Sequence, residues 1–312
     1  IGSNTIATFE ALCDVTVIYD VYDNNEAMVA RLRNGNPGYD IAFPTEYIIP
    51  VMIREDLIAP IDAEKIPNLA NIAPRWRGMF FDPNDEYTVP YMWGTTGIAY
   101  NTERVTEVPD SWMDIFEHDG PVAWLGDPRT MLSVALNVLG FDPNSTDAEE
   151  VEQARDFLVA NAGNLIAAAL DDGQALLERG EVDMTVEYDG DIYQLINDCA
   201  CETYGYVLPQ EGAILNIAAM VLLKDGPNPD LAMAFMDYVL DPYVNGQITN
   251  EITYPTANQA AIDGGFVDEA LLNSPIYPDL DTIPESYFLE YIGDADVFYN
   301  NAWDEALILI GK

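Results

Sequence analysis

With 54 Asp+Glu against 12 Lys+Arg and one His, the carboxylate is the abundant reactive group of this chain. Two carboxyls facing one cleft about 5–9.5 Å apart can cleave a glycoside. So many acids always permit some pair, however, and the count alone selects none. A Ser-His-Asp triad would have to use His118, which lies in the polar stretch Glu117-His118-Asp119-Gly120 and reads as a surface turn. There is no Gly-x-Ser-x-Gly elbow to present a nucleophile, and no Walker or Gly-x-Gly-x-x-Gly loop to cradle a phosphate. Cys13, Cys199 and Cys201 allow at most one bridge, and the single residue between the last two favours strain over stability. Three thiols and His118 at unsuitable spacing do not make a zinc site. The run Asp142-Pro143-Asn144-Ser145-Thr146-Asp147 opens like a calcium loop, but has Asp147 where Gly is needed and Gln153 where Glu is needed. It reads instead as a turn in which Thr146 or Asp147 caps the following helix. No metal, no cofactor and no catalytic residue is expected.

The charge excludes one class of partner. A net charge of −42 leaves no cationic footprint with which to displace counterions from phosphates, so nucleic acid is ruled out. Apolar residues at 49% and aromatics at 11% are too many for an acidic disordered chain and suffice for a core. At about 100–200 residues per domain, the length implies two domains. No apolar run approaches the roughly 20 residues of a membrane span. The chain opens on Ile1 rather than Met, which reads as a processed or trimmed start. Only Lys65, Lys224 and Lys312 represent lysine. The acidic surface suits solubility in a salty medium, and equally a field that concentrates a cationic ligand. Salt screens such a field, leaving local carboxylates to select the ligand.

The elements that must position such groups alternate short apolar strands with amphipathic helices, the pattern of α/β layers. Val15 to Tyr19 reads as a buried strand, Glu26 to Arg33 as a helix after the Asn24-Asn25 cap signal, and Tyr39 to Phe43 as the next strand. That strand ends at Pro44-Thr45-Glu46-Tyr47, a junction where open α/β sheets place ligands. Glu149 to Ala160, the stretch around Leu231 to Val239, and Ala295 to Ile310 carry helical apolar spacing. Without a linker or repeat, two domains would be joined by strands crossing between them.

Taken together, several segments resemble the substrate-binding proteins of spermidine/putrescine ABC importers. They are Val17-Ile18-Tyr19 to Asn25-Glu26-Ala27-Met28, Tyr39-Asp40-Ile41 to Tyr47, Phe81-Asp82-Pro83-Asn84-Asp85, Val89-Pro90-Tyr91-Met92-Trp93-Gly94-Thr95-Thr96-Gly97, Gly180-Glu181-Val182, Pro209-Gln210-Glu211-Gly212 and Tyr254-Pro255-Thr256-Ala257-Asn258. The resemblance implies a two-lobed α/β periplasmic-binding-protein fold, type II-like, with crossing hinge strands near Gly94 to Gly97 and Ile214 to Val221. Lobe 1 is expected at residues 1–95 and 218–262, and lobe 2 at 96–217 and 263–312. A ligand would be trapped as the lobes close.

By the same resemblance, ligand-binding positions fall on Thr45, Tyr47, Asp127, Thr130, Tyr188, Asn216, Ala218, Tyr254 and Leu289. An alkyl diamine needs aromatic walls and a carboxylate at each ammonium. Tyr47, Tyr188 and Tyr254 keep the walls and Asp127 keeps one carboxylate. Thr130 and Ala218 stand where the family has acids, and Asn216 and Leu289 replace an aromatic and an amide. Glu46, Glu187 or Asp189 are expected to compensate. Trp93 is a further candidate beside the plainer reading that it packs beneath a crossover. Tyr254 before Pro255 also reads as a turn anchor, and Asp127 before Pro128 as a helix cap.

A larger departure lies at the start. This chain opens at what resembles the family's first helix, near Asn4 to Leu12, so the first strand of lobe 1 is expected to be missing. Unpaired backbone is costly, and the natural polypeptide is therefore expected to continue upstream of Ile1, or another segment to fill the gap.

The expected function is that of an extracytoplasmic, periplasmic solute-binding protein of an ABC importer. Membrane anchoring would come through a segment not shown. Its partners would be a polyamine-like small cation and a membrane ABC permease, with no nucleic acid; the protein itself would be a monomer and no enzyme. The alternatives are a carboxylate-based hydrolase and a ligand sensor of the same fold.

Overall fold

The computed structural model describes residues 1–22, 24–169, 172–199, 201–280, 283 and 286–312. The chain divides into two compact units, Ile1–Trp93 with Asn216–Ser274, and Gly94–Leu215 with Pro275–Lys312. Along the first stretch run α1 (Ser3–Cys13), α2 (Asn25–Arg33), β1 (Ile41–Ala42), α3 (Ile49–Arg54), β2 (Ile58–Ala59) and β3 (Thr88–Asn101), which carries the chain into the second unit. There follow α4 (Met113–Glu117), β4 (Val122–Leu125), α5 (Pro128–Val138), α6 (Ala148–Ala160), β5 (Leu165–Ala169), α7 (Gly173–Glu178), β6 (Met184–Tyr188), α8 (Asp189–Cys199), β7 (Tyr204–Val207) and β8 (Ile214–Leu223), which returns it. Then come α9 (Pro229–Val239), α10 (Pro242–Ile252), α11 (Gln259–Asp263), α12 (Glu269–Leu272), β9 (Tyr287–Phe288) and α13 (Asp296–Ile310).

In the first unit β8 is the spine. β1 pairs antiparallel with it through Ile41 opposite Leu222, and β2 through Ile58 opposite Leu223. Ile49, Met52, Met220, Val221 and Met236 are fully buried around it. Each such side chain contributes on the order of 1.5–3 kcal/mol.

In the second unit, β3 pairs antiparallel with β6 (Thr96 opposite Tyr188 to Tyr100 opposite Met184) and with β7. β4 runs parallel to β6 and β5, and β9 parallel to the start of β8. One face packs Ala99, Ala123, Leu177, Val182 and Ile192 into a core. α5, α6 and α13 pack against one another. Trp112 is fully buried and donates its indole N–H to the Gly212 carbonyl at 2.9 Å.

Helix starts follow their caps. Asn24 accepts from Ala27 N at 2.8 Å, and Asp147 accepts from Glu149 N at 2.8 Å. The expected buried strand at Val15 to Tyr19 is not formed. Residues 15–22 carry no ladder, and Ile18 is 88% exposed. A strand is buried by its neighbours, and among the described residues none lies beside this one. Instead the Val17 N–H donates to Glu10 Oε1 at 2.8 Å, the Tyr22 hydroxyl donates to Phe43 O at 2.7 Å, and residues 16–22 and 37–43 both line a groove of about 630 Å³. Tyr39 to Phe43 likewise shortens to Ile41–Ala42, because only its edge toward β8 is paired among the described residues. Cys199 and Cys201 are joined in a disulfide despite the adverse spacing, and Cys13 is exposed. His118 is no solvated turn residue: its Nε2 lies 3.1 Å from Asp183 Oδ2, whose other oxygen takes Arg104 at 2.9 Å. No described helix is long and apolar enough to cross a membrane.

Candidate functional site

The first unit gathers one group of candidates at the end of β1. Thr45 forms a bridge with Ala218 of β8, and Ala219 N donates to Pro44 O at 3.0 Å, so the Pro44-Thr45-Glu46-Tyr47 turn is fastened to that strand. Asn25 at the head of α2 donates to Thr45 Oγ1 at 2.7 Å. Alternation along β8 leaves Asn216 and Ala218 half-exposed while Ile217 and Ala219 are fully buried.

Glu46 points inward. It is 1% exposed, and its Oε2 accepts the Ile217 backbone N–H at 2.8 Å. Tyr47 is half-buried and donates its hydroxyl to Glu26 Oε1 at 3.1 Å. Trp93, at the last position of this unit in β3, is buried against Trp76 with ring centroids 5.2 Å apart. Its N–H groups reach Pro255 O at 2.9 Å and Thr256 O at 3.1 Å. That is the packing role weighed for it above. Half-buried Tyr254 precedes these two carbonyls.

The second unit positions a second group. β4 delivers the chain to Asp127, which caps α5 by accepting from Thr130 N at 2.6 Å through Oδ1. Pro128 at the first helical position is preorganised for that turn. Asp127 stays half-exposed, whereas Thr130 is buried at 3% exposure. Arg129 turns away: its guanidinium lies over the Tyr299 ring at 4.8 Å and donates to Asn144 Oδ1 at 3.0 Å. Leu289 is buried.

Tyr188, half-buried at the end of β6, follows Glu187 and precedes Asp189, both fully buried. Glu187 Oε1 accepts the Tyr188 N–H at 3.0 Å. Asp189 spends both oxygens locally, Oδ1 on Gly190 N at 2.7 Å and Oδ2 on Thr95 N at 2.8 Å and Thr95 Oγ1 at 2.9 Å. Burial, helped by nearby Asp191, raises its carboxyl to about 7 against those stabilising bonds.

The candidates thus fall into distinct classes. Thr45, Tyr47, Asn216, Ala218 and Tyr254 in the first unit, and Asp127 and Tyr188 in the second, keep part of their surface exposed. Glu46, Trp93, Thr130, Glu187 and Asp189 lie beneath. Sequence reasoning missed Thr95. The only sequence signal for it is a threonine at a crossover position, with no charge to mark it. A first-unit groove of about 930 Å³ between α1, α9 and α10, and the groove beside residues 16–22, contain none of the candidates.

The comparisons with known proteins bear on what such an arrangement does. The family model for bacterial extracellular solute-binding proteins matches residues 4–273. The spermidine/putrescine-binding periplasmic protein of Salmonella typhimurium is 30% identical over 295 residues, 93% of this chain and 84% of the relative. A putrescine/agmatine-binding protein of Pseudomonas aeruginosa is 30% identical over 310 residues, with the same coverage of 93% and 84%. Among solved structures, the spermidine/putrescine ABC transporter substrate-binding protein PotD of Streptococcus pneumoniae aligns at TM-score 0.86 and 30% identity, covering 99% of this chain and 96% of that one.

Proposed function

This chain belongs to the bacterial extracellular solute-binding protein family, and from that premise we propose that its solute is a polyamine-class cation. The solute would be handed on unaltered to an ABC permease, and the protein would turn nothing over. The observation that carries this reading is similarity along 93% of the chain to relatives named for spermidine, putrescine and agmatine.

The chemistry of the exposed candidates supports it. Asp127 offers one ammonium partner: Oδ1 is engaged in the cap, and among the described residues no donor occupies Oδ2. An ammonium donated to a carboxylate is among the stronger hydrogen bonds. Tyr47, Tyr188 and Tyr254 offer aromatic walls for an alkyl stem and cation–π contact for its ends. In the first unit the exposed Glu26 accepts the Tyr47 hydroxyl, and the acid nearest Thr45, Asn216 and Ala218 in sequence and strand is buried Glu46. Its Oε2 already holds the Ile217 N–H, so we assign it a field on the solute through that strand rather than a direct grip.

Titration calorimetry with putrescine, spermidine, arginine and a neutral sugar, each at low and high salt, tests the assignment. Heat with a diamine, weakened by salt and absent with the sugar, is expected. Binding of the sugar in preference to every amine would overturn it.

A further inference from the structure

Three oxygen-to-oxygen contacts lie in a row where β3 enters the second unit. Asp189 Oδ2 is 2.9 Å from Thr95 Oγ1, Thr95 Oγ1 is 3.0 Å from the Tyr206 hydroxyl, and that hydroxyl is 2.9 Å from the Thr95 carbonyl oxygen. Each hydrogen bond needs one hydrogen. Thr95 and Tyr206 supply one each, and an ionised Asp189 supplies none, so one contact would set two bare oxygens together. A proton on Asp189 completes the row. Asp189 then donates to Thr95 Oγ1, Thr95 donates to Tyr206, and Tyr206 donates to the carbonyl. Oδ2 keeps a lone pair for the Thr95 N–H, and Oδ1 remains the acceptor for Gly190.

We propose that Asp189, Thr95 and Tyr206 form a proton-filled clasp on the crossover strand, and that capture of a cationic solute releases the proton. The coupling rests on the cation reading above; the clasp itself does not.

All three residues are buried. Thr95 lies two positions beyond Trp93, where the first unit ends. Asp189 directly follows the candidate wall Tyr188, and Tyr188 pairs with Thr96 across β3 and β6. A solute that touches Tyr188 therefore sits one residue from the clasp on both strands.

Asp191 from α8 and Tyr206 from β7 act on Asp189, Glu187 from β6 acts on Tyr206, and Thr95 and Thr96 bring no charge from β3. No salt bridge involves Asp189 among the described residues. Burial places its titration near neutrality, at about 7, and pushes Tyr206 well above its ordinary value, so the tyrosine remains a donor throughout. A dication arriving nearby favours ionised Asp189, so the proton leaves as the solute binds. By linkage, affinity rises as pH rises through neutrality.

The test has two arms on the full chain. In the first, the Thr95 amide resonance is followed by NMR against pH without solute. It should titrate near neutrality in the wild type, titrate at lower pH in Tyr206→Phe, where one hydrogen fewer is needed, and stay still in Asp189→Asn. A Thr95 amide flat in the wild type between about pH 5.5 and 8.5, or moving equally in Asp189→Asn, overturns the clasp. In the second arm, putrescine is titrated by calorimetry in buffers of different ionisation enthalpy. The wild type should release a fraction of a proton near pH 7 and bind at least about threefold tighter at about pH 8 than at about pH 6, while Asp189→Asn does neither. Putrescine binding without proton release overturns the coupling. No putrescine binding at all overturns the coupling together with the cation reading, and the wild-type Thr95 titration then decides the clasp alone.

Discussion

Replacing Asp127 by Asn separates the two roles that its position allows. Its Oδ1 caps α5 through the Thr130 N–H at 2.6 Å, and an amide oxygen accepts that bond nearly as well, since Asn and Asp rank together at this position. The lost negative charge at the helix start costs about 0.3–1 kcal/mol. Stability should therefore fall by no more than about 1 kcal/mol. The ammonium loses more. A hydrogen bond to a charged partner contributes about 1.5–3 kcal/mol, so affinity for putrescine should drop about 10- to 150-fold. Asp127→Ala, which removes the cap as well, should add about 0.5–2 kcal/mol of destabilisation without much further loss of affinity. Calorimetric titration at low salt, with urea unfolding of the same samples, reads both quantities. Putrescine affinity within about twofold of wild type in a stably folded Asp127→Asn protein would refute the assignment and leave Asp127 as a cap only.

Other outcomes follow from the same structure. Gly97→Ala would place a Cβ 2.5 Å from the Val207 carbonyl oxygen and 2.9 Å from the Tyr206 ring. Backbone cannot yield as a side chain tip does, so a loss of about 1–3 kcal/mol is expected in urea unfolding, and an unchanged midpoint would contradict the packing of β3 on β7. Asp189 titrates at about 7 in the folded chain against an ordinary 3.8, so the folded state holds a proton that the unfolded state has lost between these values. Its contribution to stability is accordingly greatest at the acid end of that window and declines as pH rises toward 7. Urea midpoints of the wild type should fall relative to Asp189→Asn across that range, and parallel curves would refute the shift. With a net charge of −42, added NaCl should raise the melting temperature by screening self-repulsion, and a fall would show that attractive ion pairs dominate instead.

Helix boundaries were legible because their signals are local. Asn24, Asp127 and Asp147 each cap the helix that follows, as their residue types and positions suggested. Val15 to Tyr19 misled for the opposite reason. Its apolar composition states that the segment tolerates burial, but only a neighbouring strand can bury it, and Ile18 stands 88% exposed. The buried acids were illegible for a related cause. Glu187 and Asp189 flank Tyr188 at the end of β6 and read as solute-facing carboxylates, but there the chain turns from strand into α8 and both are fully buried. What holds Asp189 is Thr95, distant in sequence and unmarked by charge. Trp93 carried both readings in the sequence, and its partners Trp76, Pro255 and Thr256 are all contacts that spacing does not reveal.

Whether this protein takes up a diamine and returns it unchanged can be read in one experiment. Equimolar putrescine should bind with measurable heat at one site per chain, and mass spectrometry of the ligand recovered after denaturing the complex should find putrescine intact and in full amount. Absence of heat with putrescine, spermidine and agmatine alike, or recovery of a modified product, would contradict it.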